Sequence, residues 1–240
     1  MTSLESLRLE LRRKSSKTRA RTNARYFKMG TGEYGEGDIS IGVTVPDNRR
    51  LAKKFAYHLS LDQIRELLRS PIHEERLCAL LISVYRYEKA SDAEQKQIVG
   101  YLLKNTQYIN NWDLVDSCAP YCIGAYVFKT EKNFNTLRSL ARSRSLWERR
   151  IAIVATLYHI RQNEFLPTHY IAERLINDPH DLIHKATGWM LREMGKRDRQ
   201  ELVKFLDQHH AALPRTALRY SLEHFNHRER AHYMRREVTN

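Results

Sequence analysis

The sequence predicts an all-α protein, a curved solenoid of stacked antiparallel helix pairs (an α-α superhelix), and three observations predict it. Helix breakers are scarce, with nine Gly and six Pro in 240 residues. Leu, Ala, Arg, Glu and Lys, all good helix formers, are plentiful. Apolar residues recur at three- and four-residue intervals between short, regularly placed breaks. At 42% hydrophobic, the chain also has enough apolar side chains for a real core.

Taken in order, residues 3–14 and 17–29 read as two helices. Four of the nine glycines then fall in the stretch 30–38, read as a flexible loop. It lacks the Gly-Lys-Ser/Thr ending of a phosphate-binding P-loop. A short apolar segment, Ile39 to Val45, leads to Pro46, and Asp47 looks like a helix N-terminus. From there helix follows helix. Leu77, Leu80, Leu81 and Val84 share a face, as do Ile151, Val154, Ala155 and Tyr158, and Ile183, Ala186 and Met190. Breaks are expected near Pro71, Ser91, Lys104–Asn111, Thr130, Ser145, Pro167, Pro179, Lys196 and Pro214. The segments between them run mostly to about 12–18 residues, so two helices and their turns take about 35–40, the size of a HEAT-like repeat. Internal sequence identity is poor, and a non-repetitive helical bundle is the alternative. The expectation is one domain over residues 1–240, with the helices of one row lining a concave face.

The net charge is +13 and the pI about 9.7, which points to a polyanionic partner. The cations are spread through the chain: Arg8 to Lys28 at the start, Arg142, Arg144, Arg149 and Arg150 in the middle, Arg215, Arg219, Arg228, Arg230, Arg235 and Arg236 near the end. Each run alone reads as a solvated face; together they favour nucleic acid over acidic lipid, for which no motif speaks. Three cysteines, Cys78, Cys118 and Cys122, fit a reducing compartment rather than a disulfide framework. No apolar run follows the N-terminal charges, and none elsewhere could span a bilayer. A soluble, cytoplasmic, nucleoid-associated protein is expected.

The three tryptophans sit in Asn111-Trp112-Asp113-Leu114-Val115-Asp116, Leu146-Trp147-Glu148-Arg149-Arg150 and Gly188-Trp189-Met190-Leu191-Arg192-Glu193. Trp112 and Asp116 share a helical face, as do Lys185, Trp189 and Arg192. A helical Trp is ordinarily core. Asp113 near a helix start is most simply a capping or dipole residue. Asp116 lies a turn further in, where the dipole gives less reason for a carboxylate. Cys118 and Cys122, four apart, read as packing residues. His224, His227 and His232 read as a surface helix rather than a metal site. Pro120, inside an apolar helical pattern, should kink or end its helix.

The segments Trp112–Pro120, Trp147–Arg150 and Lys185–Glu193, with the stretch 42–50, resemble the AlkD-type DNA alkylation-repair glycosylases. The resemblance runs from about residue 20 to about residue 225. It implies a curved solenoid of HEAT-like repeats wrapped on duplex DNA. By motif it implies that Asp116 is the catalytic carboxylate, with Trp112 and Trp189 lining the cleft wall beside the damaged nucleotide. Arg150 is then the carboxylate's cationic neighbour and a backbone contact. Lys185 and Arg192 are further DNA contacts, Tyr26 an aromatic near the DNA, and Trp147 structural. The Gly-rich loop is longer than in a close relative of that family, and Thr44 stands where that relative has a longer polar side chain.

The implied chemistry suits a lone carboxylate. A purine such as 3-methyladenine or 7-methylguanine already carries positive charge and leaves as a neutral base, so it needs no general acid. Ordinary glycoside hydrolysis needs two carboxylates. An ionised carboxylate stabilises the oxocarbenium-like sugar and orients water, and Trp faces attract cations. The reaction calls for no cofactor and no metal. The family contacts its lesion through the backbone rather than by flipping it, unlike most base-modifying enzymes. The expected partner is double-stranded DNA containing alkylated purines. Neither a membrane nor an obligate protein partner is expected, and the state is monomeric. The competing readings are a non-catalytic repeat protein binding unusual DNA and a protein-binding HEAT scaffold.

Overall fold

A computed structural model describes residues 2–235, and Arg236, counted among the C-terminal cations, lies outside them. Among the described residues regular structure is helical, apart from one isolated bridge between Ile39 and Ile72. No described helix is long and apolar enough to cross a membrane. The chain divides into two compact units, Met1–Cys122 and Ile123–Asn240.

The first unit holds α1 (Ser3–Arg13), α2 (Lys17–Tyr26), α3 (Val45–Phe55), α4 (Leu61–Leu68), α5 (His73–Lys89), α6 (Asp92–Lys104) and α7 (Trp112–Cys118). Helix starts follow capping chemistry, which satisfies backbone N–H groups that have no partner inside the helix. Thr2 with Glu5 and Ser60 with Gln63 form reciprocal capping boxes, while Ser16, Thr44 and Ser91 cap α2, α3 and α6. The α3 start thus lies at Thr44–Val45, just ahead of the expected Asp47. Helix α5 is the core element. Thirteen of its seventeen residues are buried, and it packs against α3, α4 and α7. Helix α2 is the opposite case: it buries no residue, carries no acid in its first turn and displays Lys17, Arg19, Arg21 and Arg25.

The second unit holds α8 (Ala125–Thr130), α9 (Asn135–Leu140), α10 (Leu146–Arg161), α11 (Leu166–Arg174), α12 (Asp181–Arg197), α13 (Arg199–His209), α14 (Arg215–Ser221) and α15 (His227–Met234). Helices α10, α12 and α14 begin at Leu146, Asp181 and Arg215, 35 and 34 residues apart, and pack one on the next. Shorter helices alternate with them, α11 against α10 and α13 against α12. This is the helix-pair spacing expected from sequence. Two glycines set how closely the helices approach. A Cβ on Gly124 would lie 2.2 Å from the Ala155 carbonyl oxygen of α10, and one on Gly188 of α12 would lie 2.5 Å from the Ala217 carbonyl oxygen of α14. Neither position has room for a side chain.

Some expectations change. Several helices are shorter than the anticipated segments, six residues in α8 and α9 and seven in α14, because caps and turns take their share. A break at Ala56–Ser60 separates α3 from α4, where the apolar positions Leu51, Phe55 and Leu59 continue a four-residue period across the turn. Pro120 does not end its helix. It sits in a π-helical turn, Ala119–Gly124, that carries α7 into α8. The wider turn accommodates a residue without an N–H.

Candidate functional site

The first-unit site is organised by the N-terminus of α5, where four consecutive polar residues are buried. His73, Glu74, Glu75 and Arg76 are 1, 2, 2 and 3% exposed. Buried charge is tolerable only when paired, and each has partners. Glu74 accepts hydrogen bonds from Ser40 Oγ at 2.6 Å and from the backbone N–H groups of Ile41 (3.0 Å) and Gly42 (2.8 Å). It thereby fixes the segment before α3. Glu75 pairs with Arg8 of α1 at 3.3 Å. Arg76 pairs with Asp38, and donates to Asn110 Oδ1 (3.0 Å) and to the Ser70 carbonyl (2.9 Å).

His73 lies between two carboxylates. Its Nε2 is 2.8 Å from Asp113 Oδ2 and its Nδ1 is 3.4 Å from Asp38 Oδ2. Burial pulls the imidazole towards its neutral form, but the hydrogen bonds to Asp113 and Asp38 outweigh it, and its pKa rises to about 9. Burial alone would raise the Asp38 carboxyl; the His73 hydrogen bond and the Arg76 guanidinium hold it below the ordinary carboxylate range. The Gly-rich segment therefore ends in a buried anchor, and Gly35 N–H also donates to the Lys28 carbonyl at 2.8 Å.

Trp112 opens α7 beside this cluster. Asn111, fully buried, caps the helix and donates its side-chain amide to the Phe27 carbonyl at 3.0 Å, tying α7 to the end of α2. The half-buried Trp112 ring meets Tyr26 edge-on at 5.5 Å and Phe27 at 5.6 Å; Phe27 in turn stacks on His73 at 4.6 Å. Tyr26 is 63% exposed and so reaches solvent from this cluster. Asp116 is half-buried one helical turn beyond Trp112. Of the expected residues, the structure brings Tyr26 and Trp112 into contact and sets Asp116 on the helix that Trp112 begins. Asp113 is more than a dipole residue: it is the His73 partner.

The second unit carries the other expected residues. Arg150 on α10 is 5% exposed, and its Nη1 donates to the Leu182 carbonyl at 2.6 Å. Trp147, on the same helix, is buried. Lys185 pairs with Asp181 at 2.7 Å along α12. Trp189 is half-buried and donates Nε1–H to Glu193 at 3.2 Å. Glu193 also binds Arg192 (3.3 Å) and Lys196 (2.9 Å), and Arg192 pairs further with Glu223 of the α14–α15 turn. Arg192 thus arrives as part of an ion-pair chain, with its guanidinium orientation set by two carboxylates.

Sequence reasoning missed His73, Asp38 and Arg76. The His-Glu-Glu-Arg run follows Pro71 and precedes an apolar stretch, so by composition it reads as a solvated first turn. The available signal was the density of four ionisable residues entering a helix whose next turns, Leu77 to Val84, are almost wholly apolar.

A family model for DNA alkylation repair enzymes matches residues 7–225. No curated protein matches the chain. Among solved structures, a predicted DNA alkylation repair enzyme from Enterococcus faecalis is similar with a TM-score of 0.68 at 16% identity, over 89% of this chain and 98% of that one. That likeness supports the all-helical fold, and the match over residues 7–225 supplies the lineage: the chain belongs to the DNA alkylation repair enzyme family.

Proposed function

We propose that this protein is a monofunctional DNA glycosylase that hydrolyses the N-glycosidic bond of cationic alkylated purines in duplex DNA. The observation that carries the reading is α7. An aromatic face and a carboxylate stand one turn apart on a helix pinned at its start, in a chain that belongs to a DNA alkylation repair family. Asp116 stabilises the oxocarbenium-like sugar and orients the attacking water. Trp112 and Trp189 favour the cationic lesion and the developing sugar cation. Arg150, Lys185 and Arg192 hold the phosphate backbone, and Tyr26 contacts the strand near the lesion. The exposed cations of α2 add sequence-independent affinity that weakens with salt. The protein acts as a monomer, with residues 1–240 as its DNA-binding domain. The base leaves as a neutral molecule, so the reaction needs no general acid and no cofactor, and an abasic site remains.

Base release from duplex DNA containing 7-methylguanine tests this. Wild-type protein accelerates release well above the spontaneous rate. Asp116→Asn lowers the single-turnover rate by about 100-fold or more and leaves DNA affinity nearly unchanged. Salt-dependent binding without release would instead favour a non-catalytic role in recognising damaged DNA.

A further inference from the structure

The geometry points to His73 as a positioning residue for Trp112: its imidazolium, held between Asp38 and Asp113 and stacked on Phe27, fixes the first turn of α7 and the ring that turn carries. This rests on the reading of Trp112 as part of the repair site.

Three observations support it. First, the protonation state follows from the contacts alone. Both ring nitrogens face carboxylate oxygens, at 2.8 and 3.4 Å. A neutral imidazole has one N–H and could satisfy only one of them; its other nitrogen would present a lone pair to an anion. The imidazolium donates to both. Second, two routes connect His73 to Trp112. One is covalent, because Asp113 is the next residue in the same helical turn. The other is through packing, because Phe27 touches His73 at 4.6 Å and Trp112 at 5.6 Å. Third, the other side-chain hydrogen bonds at the entrance to α7 converge on the same cluster: Asn111 bonds the Phe27 carbonyl, and Asn110 donates to Asp38 at 3.1 Å. The charged groups facing His73 are Asp38 from the segment before α3, Asp113 from α7 and Arg76 from its own helix. Arg76 opposes the imidazolium charge but is itself neutralised by Asp38.

Deprotonating His73 therefore breaks one carboxylate contact and lets the α7 entrance shift. Asp116, a turn further along, moves with it. The effect falls on the chemical step, because a misplacement of about 1 Å at reacting groups costs rate far more than affinity.

The test uses the full-length protein labelled with fluorotryptophan and followed by fluorine NMR, the three resonances being assigned with single Trp→Phe variants. Between about pH 7 and about pH 10 the Trp112 resonance titrates with a midpoint near 9, while Trp147 and Trp189 stay in place. His73→Gln moves the Trp112 resonance at neutral pH and abolishes that titration. The same variant slows single-turnover base release by about tenfold or more, with DNA affinity within about threefold. A Trp112 resonance that stays fixed across the pH range, or three resonances that move together, overturns the proposal. If His73→Gln does not fold, the wild-type titration decides alone. The NMR result needs no catalysis, so absence of base release from the wild type would refute the glycosylase reading, while the titration would still decide whether His73 positions Trp112.

Discussion

His73 in the first unit and His159 in the second are equally hidden from solvent, each 1% exposed, yet their pKa values shift in opposite directions. His159 sits in the last turn of α10, a helix whose Val154, Ala155 and Ile160 are also buried, with Phe128 at 5.5 Å and its Nδ1 without a hydrogen-bond partner. Burial acts there unopposed and lowers its pKa to about 4. At His73 the same burial is overcome by two carboxylates, and the value rises to about 9. Burial sets the cost of ionisation, and the partners decide whether the charged form survives it. The first unit thus contains an ionic node and the second an apolar spine, each wrapped around a histidine.

The largest effect is expected from breaking the node. Asp38→Ala leaves His73 and Arg76 as two buried cations without their shared anion, at a cost of about 3–5 kcal/mol, to be read by urea denaturation. If the loss is below about 1 kcal/mol, the node behaves as a surface salt bridge and the contrast with His159 fails.

The next effect is pH dependence on the alkaline side. The folded protein binds the His73 proton up to about pH 9, whereas an unfolded chain releases it near 6.5. The stabilisation is therefore complete below about 6.5 and is lost as pH rises to about 9, on the order of 3 kcal/mol in all. Thermal unfolding across that interval measures it, and His73→Gln should flatten the curve.

A loss of similar size, on the order of 3 kcal/mol, falls on the acid side, and the smallest effect is that of replacing His159 at neutral pH. His159 is neutral when folded, so its contribution is present above about pH 6.5 and is lost as pH falls towards about 4. His159→Leu should remove this acid-side loss and change stability at neutral pH by about 1 kcal/mol or less. The two windows meet near pH 6.5, where both histidines leave stability undiminished.

Much of the fold was legible because helices advertise themselves locally. Ser91 and Ser145, expected as breaks, are the caps of α6 and α10, and Pro214 stands immediately before α14. The faces Leu77–Val84 and Ile183–Met190 are buried as their periodicity predicts. The Ala56–Ser60 break was hidden because Leu51, Phe55 and Leu59 keep period through it. At the site, local spacing placed Trp112 and Asp116 on one face, and the family resemblance suggested their roles. What the sequence could not display was the pairing of His73 with Asp38 and Asp113. Those residues come from three separate segments, and no periodicity links a Gly-rich stretch to a helix start distant in sequence. Tertiary pairing turned a run that looks solvated into the most buried charge in the first unit, and a residue that looks like a cap into an ion-pair partner.

The approach of backbone to backbone at Gly124 and Gly188 bears on how such a chain can diverge. At both places the distance between neighbouring helices is fixed by a main-chain carbonyl meeting a position with no side chain. The interval between repeats is then set by peptide geometry rather than by the volumes of Leu, Ile or Met around it. Interior side chains can be exchanged for others of similar bulk while the stacking interval holds. Helix pairs that begin 35 and 34 residues apart can thus share a common architecture with little sequence in common, and the repeat persists as a length after it has faded as a motif.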